Sequence, residues 1–354
     1  MYNPARTATP FDLFTAGYCI TQSEAVWKVF TSNASIGVEE LSMFVAGLNS
    51  IPDPTGHVDI LSIAFNQLGC HVANQLAHLN PKILQRISTL LLSHCELDVN
   101  ACDALTSVIL LMSDLQSLDI SSNPIHDGGA RKLLQAMTRS EHLSVLDLTD
   151  THLGPKDLED LAGLIKPNRL LKSLKIGDEN MTDECTKKMI KTTFACSSLK
   201  HLEIYEAELD CATSELQHLL EGNNNLLSFQ LCPCSSKVAV SVAKALHRNT
   251  TLKILRLGNI SEQFFAEIRL EGAQALSQML QTNCTLEQLT VFDATIGRDG
   301  ALTLIRAVQH SETLKTLKLP EMFKIVSLAE LHNTIDSQRI KFVVAFSQED
   351  EDTV

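Results

Sequence analysis

Acidic side chains recur through the middle of the chain at intervals of 28 residues or a multiple of that number. The members of this series, together with one aromatic residue among them, are Asp119, Asp147, Asp150, Asp178, Glu203, Tyr205 and Glu206. Carboxylates that line up in space attract lysine and arginine side chains. An aromatic side chain within such a surface is a typical anchor for a partner. The spacing therefore predicts a surface that binds a basic protein or peptide.

A second interpretation of the same residues is that they form only a solvated face. The chain carries a formal charge of −13, from 29 Lys and Arg against 42 Asp and Glu, so that an exposed face tends to be acidic. Lys172, Lys200 and Lys253 neutralise part of this field. Both interpretations stay open at this point. The negative charge itself argues against nucleic acids and anionic membranes as partners.

Sequence motifs for catalysis, cofactors or metals are missing. There is no glycine-rich loop of the form GxxxxGK[ST], and neither GxGxxG nor GxSxG occurs. Cys232 and Cys234 are a close cysteine pair, but a zinc site needs further ligands. His94 and Cys95 belong to a distant part of the chain. We therefore expect no catalytic residue, no cofactor and no metal site.

The element that positions the acidic residues is a repeat. Leu115–Ile125, LQSLDISSNPI, matches the leucine-rich repeat pattern LxxLxLxxNxL at every specified position. Close copies follow at steps of 28 or 29 residues, and looser copies continue the series. The residues at the asparagine position of the ten copies are Asn66, Cys95, Asn123, Thr151, Glu179, Ala207, Cys234, Ile260, Ala294 and Met322.

Each copy predicts a strand, a turn and a returning helix. The aliphatic residues of LxxLxL point into the protein, and the asparagine side chain can bond to backbone groups of the turn that leaves the strand. Residues 130–137 and 300–308 have apolar residues at helical spacing. Because strands stack at about 4.8 Å and helices at about 10 Å, the array must bend. We expect an α/β fold, a right-handed leucine-rich repeat solenoid or horseshoe, with a parallel sheet on the concave face and helices on the convex face.

The two ends and one long repeat depart from the pattern. We expect an N-terminal capping region at residues 1–50, repeats at 51–335, and a C-terminal cap strand with an acidic tail at 336–354. The cap contains a short strand at Ala25–Phe30 and a helix within 36–50. The eighth repeat is long and carries Phe264 and Phe265. These rings either offer a partner an aromatic lip on the rim or pack down to fill the turn.

The cellular compartment is predicted from two features that the sequence lacks, a secretory signal and a membrane-spanning segment. The N-terminal residues show no positive run followed by an apolar stretch, so no secretory signal is expected. No apolar run reaches the roughly 18 residues needed to span a membrane. The ten cysteines are then expected to be free thiols in a reducing compartment. We predict a cytoplasmic protein.

The repeats, with helices that begin DGGA, EGA and RDGA, resemble the ribonuclease-inhibitor class of leucine-rich repeats over about residues 57–335. That class includes cytosolic ribonuclease inhibitors, Ran GTPase-activating proteins and the C-terminal sensor regions of NOD-like (NACHT) receptors. Phe11–Trp27 is similar to a stretch that precedes the first repeats in invertebrate NOD-like receptors. The resemblance implies a non-enzymatic recognition module, the sensor part of an innate-immune receptor without its NACHT domain. The alternative that it implies is a regulator of an enzyme, similar to ribonuclease inhibitors or Ran activators.

Overall fold

The computed structural model describes residues 9–126, 129–137, 139–140, 142–166, 169–258, 267–292 and 294–320. The chain divides into two compact units, Met1–Met181 and Thr182–Val354. Each unit repeats one motif, a short strand followed by a helix that returns the chain.

The first unit alternates strands and helices. Its helices are α1 Pro10–Gln22, α2 Val38–Leu48, α3 Cys70–Ala77, α4 Pro81–Leu84, α5 Val99–Leu111, α6 Ala130–Met137 and α7 Pro155–Ile165. Its strands are β1 Val26–Phe30, β2 His57–Ser62, β3 Thr89–Leu91, β4 Ser117–Asp119, β5 Val145–Thr149 and β6 Ser173–Gly177.

The second unit continues the alternation. Its helices are α8 Asp183–Phe194, α9 Thr213–Gly222, α10 Ser236–Leu246, α11 Leu270–Leu280 and α12 Gly297–Val308. Its strands are β7 His201–Tyr205, β8 Ser228–Cys232, β9 Ile254–Leu257, β10 Gln288–Val291 and β11 Thr316–Lys318. Strands β2 to β11 lie where the LxxLxL segments of the ten predicted repeats place a strand.

Within each unit, neighbouring strands pair in parallel and in chain order. The central leucine of each repeat lies in register with the next, as with Leu90, Leu118 and Leu146, and these side chains are fully buried. In the second unit Phe229 replaces one such leucine, and the ring of Phe194 packs edge-on against it at 5.9 Å. Helices of successive repeats pack on each other, as α3 does on α5 and α10 does on α11. The predicted α/β leucine-rich repeat solenoid is confirmed.

The asparagine of the repeat joins one repeat to the one before it. Asn123 is buried, and its Oδ1 accepts hydrogen bonds from the backbone N–H groups of Cys95 and Leu97, at 3.0 and 2.9 Å. Its Nδ2 donates to the carbonyl oxygens of Leu92 and Ile120. Asn66 repeats the arrangement with Ile36 and Thr31. The bonding expected of this position in the sequence is therefore observed.

One repeat assigns this role to a different residue from the predicted one. The sequence places Glu179 at the asparagine position, but the buried residue is Asp178, which accepts a hydrogen bond from the backbone N–H of His152 in the preceding repeat at 2.8 Å. The residue before the asparagine position has positive φ in other repeats, as at Ser122 and Asp150, and here that residue is Gly177. The backbone geometry of the turn, rather than the aliphatic spacing, fixes the position.

Near the N-terminus, α1 packs against α2 and β1 pairs with β2. The side chains of Thr9 and Asp12 form a capping box that begins α1. A Cβ at Gly47 would meet the backbone of Phe14, so only glycine allows this close approach of the two helices. The strand and helix expected within residues 1–50 are both present. The division into a cap and repeats stays a prediction.

Two expectations fall outside the described residues. The first concerns Phe264 and Phe265 of the long repeat. The second concerns residues 336–354, for which a cap strand and an acidic tail are predicted. In the described part of the chain, every helix is too short or too polar to cross a membrane.

Replacement of Asn123 by alanine is expected to lower the free energy of unfolding by about 2–5 kcal/mol, because two buried N–H groups lose their acceptor. Urea denaturation followed by circular dichroism measures this change. Asn74, exposed on α3, supplies the control, and Asn74→Ala should change stability by less than about 0.5 kcal/mol. Equal effects of the two substitutions would contradict the bridging role of Asn123.

Candidate functional site

Two of the predicted acidic residues lie side by side in the first unit. Asp119 ends β4, Asp147 is in the middle of β5, and the two are register partners. They alternate with the buried Leu118 and Leu146, so they lie on the face of the sheet opposite the helices. Asp119 accepts hydrogen bonds from the backbone N–H and hydroxyl of Ser121, at 2.9 and 2.6 Å.

The proximity of these carboxylates has an electrostatic effect. Burial and then the negative charge of Asp119 raise the pKa of Asp147 from 3.8 to about 6, although the backbone N–H of Thr149 and the charge of Lys175 act in the opposite direction. Lys175 is the register partner of Asp147 on β6. Its charge does not offset burial and the repulsion from Asp119. A further positive charge at this face would therefore be stabilised.

A second acidic group lies in the turns that follow β5 and β6. The Nδ1 atom of His152 is 2.6 Å from Oδ2 of Asp178 and 3.7 Å from Oδ1 of Asp150. Asp150 and His152 both have positive φ, at 52° and 56°. Burial, followed by the charge of Asp178, raises the pKa of Asp150, while the charge of His152 lowers it.

Asp178 does not face outward as the sequence predicted. Its side chain is 4% exposed, and its oxygens accept hydrogen bonds from the backbone N–H groups of His152 and Asn180. This residue is needed inside the turn because it takes the role that asparagine has in other repeats. Asp150 remains about one-third exposed. Of these two residues, only Asp150 offers much of its carboxylate to a large partner.

Aromatic and imidazole rings line the same end of the strands. The rings of Phe65 and His94 stack at 4.4 Å, and those of His126 and His152 stack at 5.2 Å. Phe65 is 53% exposed. Leu91 on β3 is half-buried and is the register partner of Asp119. Apolar and acidic side chains are thus adjacent on this face of the first unit.

The remaining predicted residues belong to the second unit. Glu203 and Tyr205 are on β7, and the Tyr205 hydroxyl donates to Oε2 of Glu203 at 2.9 Å. Nε2 of Gln230 donates to the same hydroxyl at 2.7 Å. Glu206 follows in the turn with a φ of 56°. All three are half-buried. Tyr205 is therefore held in place by neighbours on its own sheet. Phe264 and Phe265 lie outside the described residues.

The contact between His152 and the two aspartates was missed from the sequence. The spacing of the acidic series correctly paired Asp119 with Asp147, because strand residues keep their register from repeat to repeat. The turn after β6 does not keep it, because Asp178 is shifted by one position relative to the assigned asparagine column. Alignment of the repeats on the positive-φ residue, with Gly177 as the signal, would have placed His152 next to Asp178.

The repeats of this chain are similar to those of known proteins. The family model described as Leucine Rich repeat matches residues 112–134 and 139–162, which include Asn123 and Asp147. The chain contains leucine-rich repeats. It is 24% identical over 272 residues to a ribonuclease inhibitor of Sus scrofa, a match that covers 74% of this chain and 58% of the relative.

The same region is similar to NACHT proteins. The chain is 28% identical over 236 residues to NACHT, LRR and PYD domains-containing protein 12 of Mus musculus, which covers 66% of this chain and 20% of the relative. The chain is also 25% identical over 317 residues to NACHT, LRR and PYD domains-containing protein 3 of Bos taurus. This match covers 86% of this chain and 30% of the relative.

The chain thus spans less than two thirds of each of these three relatives. The predicted resemblance to ribonuclease inhibitors and to the repeat regions of NACHT proteins is confirmed, whereas a particular likeness to invertebrate receptors stays a prediction.

The raised pKa of Asp147 predicts how stability changes with pH. A carboxyl group whose pKa is raised by folding contributes stability below its ordinary value of 3.8, and that contribution is lost as pH rises through about 6. Between these values the free energy of unfolding of the wild type should therefore fall relative to that of Asp147→Asn. Urea titrations at a series of pH values measure the difference. The control Asp114→Asn, at an exposed loop residue, should show no such divergence.

Proposed function

We propose that this chain is a protein-recognition module that binds a basic protein or peptide on the sheet face that carries Asp119 and Asp147. The observation that carries this proposal is the pairing of two carboxylates in register, close enough for the charge of Asp119 to raise the pKa of Asp147. An arginine or lysine side chain of a partner would relieve this repulsion. Binding energy would then come from a feature that is unfavourable in the free protein.

The neighbouring side chains define the partner further. Phe65 and Leu91 lie on the amino-terminal side of the acidic pair and present apolar surface. Fully buried apolar contacts supply most of the energy in protein interfaces, whereas charges at the rim determine association rate and orientation. The partner should therefore carry an apolar side chain next to its basic residues. Asp150 extends the acidic surface beyond β5.

Several further features belong to this proposal. Glu203, Tyr205 and Glu206 form a smaller acidic surface in the second unit, and Phe264 and Phe265 are candidate contacts on the long repeat. In this proposal residues 1–50 cap the repeats at 51–335, whereas the cap strand and acidic tail expected at 336–354 lie outside the described residues. The module acts without catalysis in the cytoplasm, as the recognition part of an innate-immune receptor of the NACHT type. Support for this role comes from the similarity to NACHT proteins.

The double variant Asp119→Asn and Asp147→Asn is expected to weaken binding of a basic partner by about tenfold or more, since each charge pair is worth on the order of 1 kcal/mol. Partners are captured from a lysate at low and high salt, identified by mass spectrometry, purified and titrated by calorimetry. Wild-type binding should weaken from pH 7.5 to 5.5 as Asp147 gains a proton. This pH dependence should be smaller in the double variant.

The control changes the same charge elsewhere. Glu39 on α2 and Asp114 before β4 are exposed, and Glu39→Gln with Asp114→Asn removes two negative charges away from the proposed surface. This control should bind as the wild type does. If both double variants lose the same partners, binding depends only on net charge. If neither loses them, the partner binds elsewhere and the proposal is wrong.

A second candidate function is inhibition of an enzyme, which the similarity to ribonuclease inhibitors favours. Purified chain added in excess to a pancreatic-type ribonuclease should then lower the rate of RNA cleavage. The Asp119 and Asp147 double variant should restore the rate, and the Glu39 and Asp114 variant should not. An unchanged rate at micromolar concentrations of the chain excludes inhibition of this ribonuclease and leaves recognition without inhibition.

A further inference from the structure

The side chains of Asp150, His152 and Asp178 converge in the turns after β5 and β6. One ligand atom from each, an imidazole nitrogen and two carboxylate oxygens, lies within 4.8 Å of the other two. Two carboxylates at this distance repel each other. His152 lies between them, and Glu179 adds negative charge near Asp150. The cluster is negative overall unless a cation enters it.

The distances are close to those of a tetrahedral metal site. Bonds of about 2.0–2.2 Å from zinc to nitrogen and oxygen place neighbouring ligand atoms roughly 3.4 Å apart. The 3.7 Å between Nδ1 of His152 and Oδ1 of Asp150 is near this value. The 2.6 Å between Nδ1 and Oδ2 of Asp178 is that of a hydrogen bond. A modest rotation of the imidazole, once the bridging proton is displaced, opens it to metal spacing.

The residues around the cluster hold Asp178 in place and leave Asp150 and His152 accessible to solvent. Asp178 is buried and held by the backbone N–H groups of His152 and Asn180. Asp150 and His152 are each about one-third exposed, so an ion and a water ligand can reach them. The ring of His126 stacks on that of His152 and limits the orientation of the imidazole. One ligand is therefore fixed and two are accessible.

We infer that Asp150, His152 and Asp178 form a binding site for a divalent first-row transition metal ion such as zinc. An imidazole ligand disfavours calcium and magnesium, which prefer oxygen ligands. Protein ligands number three, and water completes the coordination. This inference does not rest on the proposed partner surface, which depends on Asp119 and Asp147.

A metal ion can bind Nδ1 of His152 only when this nitrogen carries no proton. In the neutral ring, the proton that Nδ1 shares with Asp178 moves to Nε2, and Nδ1 becomes a ligand with no net proton release. If His152 is protonated, one proton leaves to solvent. Oδ2 of Asp178 can keep the hydrogen bond from the backbone N–H of His152 while it binds the ion.

Calorimetric titration of the full chain with zinc chloride tests the site. Because exposed cysteines also bind zinc, the titration uses a Cys19→Ser and Cys284→Ser background. One equivalent is expected to bind, and His152→Gln and Asp150→Asn should each weaken it by about tenfold or more. His142→Gln is the matched control, since His142 is an exposed residue of the same repeat outside the cluster. It should bind zinc as the background does.

Cobalt(II) provides a readout that identifies the ligands. Nitrogen and oxygen ligands give visible d–d absorption without the intense near-ultraviolet band of a cobalt–thiolate bond. The proposal is supported if d–d absorption appears and is lost in His152→Gln. A thiolate band, no binding at micromolar zinc, or equal loss in His152→Gln and His142→Gln would each overturn it. Circular dichroism of every variant confirms that loss of binding is not loss of folding.

Discussion

The hydrogen bonds from a buried polar side chain to the turn of the preceding repeat are the constraint on which the rest of this structure depends. A strand only a few residues long must reverse into a helix, and the turn leaves backbone N–H groups that cannot reach water. Asn66, Asn123 and Asp178 each supply an acceptor to the repeat before their own. Without them the buried N–H groups would cost about 1–3 kcal/mol each. In these three repeats stacking is therefore directional, because each supplies hydrogen-bond acceptors to the repeat before it.

The same turns place non-glycine residues in left-handed backbone conformation. Phe65, His94, Ser122 and Asp150 occupy equivalent positions with φ between 50° and 59°. This conformation costs roughly 1–2 kcal/mol per residue. The ladder of the sheet offsets part of the cost, since the N–H of each of these residues donates to a carbonyl of the following repeat, as from Asp150 to Gly177. Side chains at these positions project from a rigid backbone, which suits them for recognition.

Sequence periodicity could predict the strands, the helices and the register of Asp119 with Asp147, because all of these follow from the spacing of buried leucines. It could not predict the contact of His152 with Asp178. That contact depends on one-residue shifts within turns, where no aliphatic residue fixes the column. Burial of Asp178 was missed as well, because a charged side chain in a turn is expected to be exposed. Thr151 and Cys95, in contrast, were correctly placed, since both are buried and each donates a hydrogen bond to a backbone carbonyl oxygen, that of Leu148 for Thr151 and that of Ile63 for Cys95.

At one of these buried turn positions the residue is aspartate instead of asparagine, and this substitution places a negative charge in the turn. Asn123 uses both its carbonyl and its amide group, because it must accept from N–H groups and donate to carbonyl oxygens. Asp178 can only accept while it is ionised, so it brings a negative charge into the turn. His152 lies within hydrogen-bond distance of that charge, and Asp150 adds a second. The scaffold tolerates this charge because backbone N–H groups already bind the carboxylate. The position at which Asn66 and Asn123 join successive repeats thus becomes, at Asp178, a place where a cation can be held.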